Sequence, residues 1–263
     1  MTDASSSNSE PVGIKLRQLA RSFLHASAEF VYPSVCFLCE KTDEATSHGE
    51  SFCTRCRGEL LDVSPDQCLK CAAPVGPYVS TNNGCLHCRN IRLRFAPVMR
   101  LGVYRDAMQV AILRGKQSHA EHILAALSRL LVDEHRSAFH AGEFDVVVPV
   151  PQHWWQRLFR TNNPAEIVAR AIASELDLPC CTNSLMKTRQ TKTQKSLSAT
   201  ERRRNVRNAF SMRFKDDVAG CRVLLVDDVM TTGVTANEIA QVLKRAGAES
   251  VSLAVIARVL TTS

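Results

Sequence analysis

Aromatic side chains are scarce in this chain of 263 residues, at 6% of positions, with two tryptophans and three tyrosines. Long apolar runs are missing altogether. No stretch reaches the ~18 consecutive apolar residues that a membrane-spanning helix needs, which argues against membrane insertion. The first ten residues, Met1–Glu10, are small, polar and acidic. They lack the basic start and apolar centre of a secretory leader, so the expected address is the cytoplasm. Acids are also missing locally. Between Lys187 and Arg207 a single acid, Glu201, stands among eight lysines and arginines, with no aromatic that could stack on an exposed base.

What is present is an ordinary soluble composition, 45% hydrophobic and 22% charged, with a net charge of +7. A basic balance favours a polyanionic partner without naming one. Eleven cysteines are the unusual feature. A reducing compartment argues against a disulfide framework and for metal binding. Eight of the eleven lie between Cys36 and Cys88; Cys180, Cys181 and Cys221 stand alone in the C-terminal half, where small buried hydrophobes are the simplest reading.

The chain divides by texture into three parts. Residues 1–33 read as a disordered tail followed by an amphipathic helix. Ile14, Leu16, Leu19, Phe23, Leu24 and Phe30 recur at helical spacing between Lys15, Arg17 and Arg21, and Pro33 closes the helix. Residues 34–94 hold an internal repeat. The pairs Cys36/Cys39 and Cys53/Cys56 are followed, displaced by 32 residues at every cysteine, by Cys68/Cys71 and Cys85/Cys88. From residue 95 to 263 strands and helices alternate. Val98–Tyr104, Asp145–Val150, Arg222–Val226 and Val251–Val259 read as strands, and Met108–Leu131, Pro164–Leu176 and Thr235–Ala246 as helices. Such alternation predicts an α/β fold, a parallel sheet covered by helices on both faces.

Zinc prefers four thiolates in a tetrahedron, and a gap of two residues lets one tight turn present two sulfurs. Two knuckles about a dozen residues apart make one ribbon, and here the unit occurs twice. The spacing therefore predicts two structural zinc ions, with sequential pairing of knuckles favoured and interleaved pairing as the alternative. Redox dithiols come singly ahead of a helix, and iron–sulfur ligation uses tighter clusters. His48 and His87 are read as bystanders. With every position filled by sulfur, no site is left open for a catalytic water. Metal removal is expected to unfold the ribbons and leave the C-terminal part folded.

The second constellation is VLLVDDVMTTGVT, from Val223 to Thr235. Four apolar residues make a buried strand, Asp227 and Asp228 stand at its carboxyl end, and a hydroxyl- and glycine-rich loop leads into a helix. Ligands of open α/β sheets bind at such strand ends. Thr231, Thr232, Gly233 and Thr235 offer backbone N–H groups, hydroxyls and a positive helix end to a phosphate. The two acids are placed to accept hydrogen bonds from vicinal sugar hydroxyls. Capping of the following helix is the plainer role for them.

This string closely resembles the binding signature for phosphoribosyl pyrophosphate (PRPP) in type I phosphoribosyltransferases. With the cysteine repeat ahead of it, the chain is similar to the ComF family, which joins a double zinc ribbon to such a domain and is associated with uptake of transforming DNA. The resemblance spans roughly Cys36 to Val259. It also includes Pro149-Val150-Pro151, Arg189, Thr191, Gln194, Leu197, Arg202, Asn205 and Phe210. It implies that Asp227 and Asp228 hold the ribose hydroxyls. Thr231, Thr232, Gly233 and Thr235 would hold the 5′-phosphate, with magnesium accompanying the pyrophosphate. The loop after Val148 would face pyrophosphate, and the basic stretch would be a mobile loop over the site. Where the family reads Gly-Phe-Asn-Gln after an arginine matching Arg160, this chain has Thr161, Asn162, Asn163 and Pro164. Losing that glycine removes a place where backbone approaches an anion unobstructed, so binding should survive better than turnover.

Three functions remain open on the sequence. One is transfer of ribose 5-phosphate from PRPP to a base that no residue identifies. Another is a DNA-handling accessory that binds PRPP as a sensed ligand and single-stranded DNA through phosphates, using Arg189, Lys192, Lys195, Arg202, Arg203 and Arg204. The basic run serves equally as a solvated face. Trp154 and Trp155, beside Arg157 and Arg160, are the candidates for stacking on bases, with buried packing as the alternative for one of them. The third is an adaptor whose ribbons dock a partner such as a DNA-uptake helicase.

Overall fold

The computed structural model describes residues 35–61, 67–68, 70–81, 83–152, 163–189 and 199–260. The expected helix at 14–30, Trp154, Trp155, Arg157, Arg160, Thr161, Asn162, Lys192 and Lys195 lie outside the described residues. The chain forms two compact units, 1–57 and 58–263. In the first, a four-residue helix α1 (Glu44–Ser47) follows the first knuckle, and Asp43 caps it by accepting from Thr46 N at 3.0 Å. Helix α2 (Thr54–Leu60) begins at the second knuckle.

The second unit opens on the repeat's second copy and continues as β1 (Val98–Val103), α3 (Asp106–Gly115), α4 (Glu121–Glu134), α5 (Arg136–Ala141) and β2 (Val146–Pro149). Then come α6 (Pro164–Leu176), β3 (Leu185–Lys187), α7 (Ala199–Val206), β4 (Phe210–Met212), β5 (Arg222–Met230), α8 (Val234–Arg245) and β6 (Ser250–Arg258). Strands β1, β6, β5 and β2, in that order, form one sheet that is parallel throughout. Its central strands are near-continuous apolar runs because helices cover their faces: Val223–Val226 and Leu253–Ala257 are fully buried. The fold is α/β, as the alternation predicts. Among the described residues, no helix is long and apolar enough to cross a membrane.

Two elements differ from the sequence expectation. The single helix read over Met108–Leu131 is two helices, α3 and α4, with a break at Lys116–Ala120. Apolar periodicity runs across the break because both helices bury one face. Gly115 permits the close turn between them: a Cβ there would stand 2.8 Å from Leu124 Cγ. The second difference is β5, which continues to Met230, so Asp227 and Asp228 lie inside the strand rather than past its end. Its two neighbours explain this. Pairing with β2 stops at Pro149–Val226, whereas pairing with the longer β6 continues to Met230–Arg258. The acids are thus free of a strand on one side and held in the ladder on the other. The short antiparallel pair β3–β4 had no signal in the sequence.

Candidate functional site

The eight repeat cysteines come together as two tetrads, Cys36/Cys39/Cys53/Cys56 and Cys68/Cys71/Cys85/Cys88, each with its sulfurs within 4.8 Å of one another. Knuckle pairing is sequential. Four thiolates about 2.3 Å from a zinc ion lie about 3.8 Å apart at the corners of a tetrahedron. The observed separations are 3.7 Å for Cys39–Cys53, 3.6 Å for Cys68–Cys88, 3.6 Å for Cys71–Cys85 and 4.0 Å for Cys85–Cys88. Both tetrads fit structural zinc. In each, one thiol ionises easily. Burial opposes ionisation of Cys36 and Cys68, but backbone N–H groups outweigh it and bring both down to about 7. Their neighbours Cys56 and Cys71 are pushed up, first by burial, and a cation at the centre is what would let all four ionise together.

The second tetrad shares its surroundings with the sheet. Cys68, Cys71, Cys85 and Cys88 belong to the same buried cluster as Phe95, Val98, Leu253 and Val255. Arg258, the last residue of β6 and 4% exposed, donates from Nη1 to the Cys71 carbonyl at 2.8 Å. Its charge draws the Cys71 thiol down against the larger effect of burial. A buried guanidinium beside a tetrathiolate balances charge that zinc alone leaves negative.

At the carboxyl end of β5, Asp227 accepts from Asp228 N at 2.9 Å, and Asp228 forms a close ion pair with Lys116 Nζ. Asp227 and Asp228 are both half-buried. Burial first, and then the Asp228 carboxylate, push the Asp227 carboxyl well above the usual range, against the pull of Lys116. Lys187, at the end of β3, is half-buried and its ammonium is weakened by desolvation and by Arg189, while Asp227 favours its charge. Lys187 Nζ also lies 5.9 Å from the centre of the Phe210 ring, a residue buried as expected. Sequence reasoning gave Lys116 no role and treated Lys187 as one charge of a run. Their convergence on the acids comes from the turn after α3 and from the β3–β4 pair.

Beyond Met230 the loop turns through Gly233, whose φ of +73° favours glycine, into α8. A Cβ at Gly233 would stand 3.3 Å from Phe95 Cζ and 3.5 Å from Met230 Sδ. Gly233 gives α8 no side-chain cap, and among the described residues the buried Thr232 hydroxyl has no hydrogen-bond partner. Asp227, Thr231, Gly233 and Thr235 line a cavity of about 140 Å3. A helix start without a side-chain cap, an orphan hydroxyl and a close backbone turn suit an anion.

Of the basic residues singled out, Arg189 turns to the backbone, donating from Nη2 to the carbonyls of Asn205 and Arg207 at 3.0 Å each. Arg202, Arg203 and Arg204 lie on α7, and Arg204 is exposed. Asn163 is engaged structurally: it caps α6 by accepting from Ala165 N at 3.2 Å and donates to the Val150 carbonyl at 3.1 Å. Cys180, Cys181 and Cys221 are half-buried rather than core.

The model of the phosphoribosyl transferase domain family matches residues 117–262, and that of the double zinc ribbon domain matches residues 27–91. Competence protein F of Haemophilus influenzae is 32% identical over 221 residues, covering 78% of this chain and 96% of that protein. The DNA utilization protein YhgH of Salmonella typhimurium is 31% identical over 236 residues, covering 87% and 98%. That of Escherichia coli K12 is 31% identical over 235 residues, with the same coverage.

Proposed function

Since this chain belongs to the ComF family, a double zinc ribbon ahead of a phosphoribosyltransferase domain, we propose that it binds PRPP at the end of β5 and acts in the handling of DNA. The observation that carries the PRPP reading is the buried, unpartnered Thr232 hydroxyl in an uncapped helix-start loop directly after an acid pair. The 5′-phosphate accepts from the Thr231–Thr235 backbone and hydroxyls. Asp227 and Asp228 accept from the ribose hydroxyls, and the ion pair with Lys116 holds the Asp228 carboxylate in place. Magnesium enters with PRPP, held mainly by pyrophosphate oxygens and water, the usual habit of that ion. The DNA reading rests on the names of the relatives, Competence protein F and DNA utilization protein, together with the net charge of +7.

Binding without turnover is favoured by one observation. Asn163, in the stretch that departs from the family pattern, spends its amide on capping α6 and tying down Val150. Calorimetric titration with PRPP and magnesium tests the assignment. Replacing Asp227 and Asp228 together by alanine removes charge-assisted hydrogen bonds worth about 1.5–3 kcal/mol each, so affinity should fall at least about tenfold. Unchanged affinity would sink the site. Pyrophosphate release with a panel of bases then separates a transferase from a sensor.

A further inference from the structure

Away from the acid pair, a cleft of about 390 Å3 runs along α8. One wall is the chain leaving the second ribbon, at Arg92. The other is the end of α7, at Arg207, and the floor is a face of α8 that ends at Arg245. Sequence reading could not assemble it, because the three arginines come from three distant segments and only Arg207 lies in the basic run.

All three arginines are exposed, and among the described residues none has an ion-pair partner. Glu238 is the single acid in the lining, and one of its oxygens already accepts from Asn208 N at 2.8 Å. Three like charges around one concavity repel one another, and an anion between them relieves that repulsion. Guanidinium groups favour phosphate in particular, because their forked donors match two of its oxygens. The volume falls in the range of small-molecule sites, and no aromatic lines the cleft, so phosphate rather than a base would be recognised. The cleft begins beside Val234, which also lines the loop cavity, and reaches about 16 Å along the helix to Arg245. It is therefore separate from the Thr231–Thr235 loop over most of its length.

We propose that this cleft is a second phosphate-binding site, taking the phosphates of a free nucleotide or of a nucleic-acid strand. The test uses the full zinc-loaded chain and its Arg92→Gln/Arg207→Gln/Arg245→Gln variant, with melting temperature as a check on folding. One arm titrates ATP by calorimetry; the other follows a labelled oligothymidylate by fluorescence anisotropy across a salt series. The variant should bind at least one of the two at least about tenfold more weakly, and whichever ligand is lost identifies the source. For the oligonucleotide, losing three contacts should flatten the salt slope by about 2. In the Arg92→Gln/Arg245→Gln variant, which leaves the basic run whole, PRPP affinity should stay as in the parent chain. The matching Arg→Lys variant keeps the charges and should keep most of the slope, which guards against a folding defect. Wild-type binding of neither ligand, or equal binding of both by the glutamine variant, overturns the proposal.

Discussion

Asp227 and Asp228 place two carboxylates side by side, and the protein bears an electrostatic cost for it. Asp227 has its carboxyl raised above the usual range by burial and by its neighbour. The native state therefore takes up this proton more readily than the unfolded chain does. Stability from this group is present at low pH and declines as pH rises from about 3.9, the unfolded value, through the raised native value. Asp227→Asn should accordingly stabilise the protein at pH 8, on the order of 1 kcal/mol, and do little at pH 4, as measured by urea unfolding at the two pH values. An equal gain at both would show that burial of charge is not the cause. Lys116→Met should do the opposite, lowering stability at pH 8 by about 1–2 kcal/mol, and should do less in the Asp227→Asn background. Gly233→Ala would place a Cβ against Phe95 in a left-handed conformation, and PRPP affinity should fall with a stability loss of about 1 kcal/mol. The acids and the loop were readable because they form one continuous string. Lys116 was not, since its partner lies more than a hundred residues on and no local pattern reports which side chains converge.

At the level of elements, strands and long amphipathic helices were legible from their periodicity, and their limits were less so. Nothing in α3 or α4 alone marks the turn between them, because both bury one face and the spacing carries over. The length of β5 was hidden because it is set by β6, a partner later in the chain. The ribbons were the most legible element, and their spacing alone says nothing of what they pack against. Their cysteine spacing located both tetrads, but it could not report that the second one packs into the core of the sheet. Chelation should therefore do more than unfold the ribbons. Removing zinc from the second tetrad leaves the buried Arg258 charge unbalanced, a defect of about 3–5 kcal/mol. Thermal unfolding followed by circular dichroism should show the sheet losing stability with the metal. A helical signal unmoved by complete zinc removal would contradict this.

For the molecule as a whole, the charge of +7 is spread over the basic run and the arginines around α8. Binding to single-stranded DNA should weaken with salt by roughly 0.7 log units per log salt for each phosphate contact. Replacing Arg202, Arg203 and Arg204 by glutamine should flatten that slope if α7 touches the strand, and affinity indifferent to salt would remove phosphates from the account. Arg258 carries a different consequence, about how such a chain can be cut and recombined. Its hydrogen bond to Cys71 joins the last residue of β6 to a ligand of the second metal site. A cut at residue 95, where the strands begin, would part Arg258 from the carbonyl it holds. A fragment of 61–263, cut after α2 (Thr54–Leu60), should fold with one zinc ion, whereas one of 95–263 should be insoluble or unfolded. A chimaera with a foreign first ribbon should keep the sheet, whereas exchange of the second ribbon should cost the sheet a buried partner.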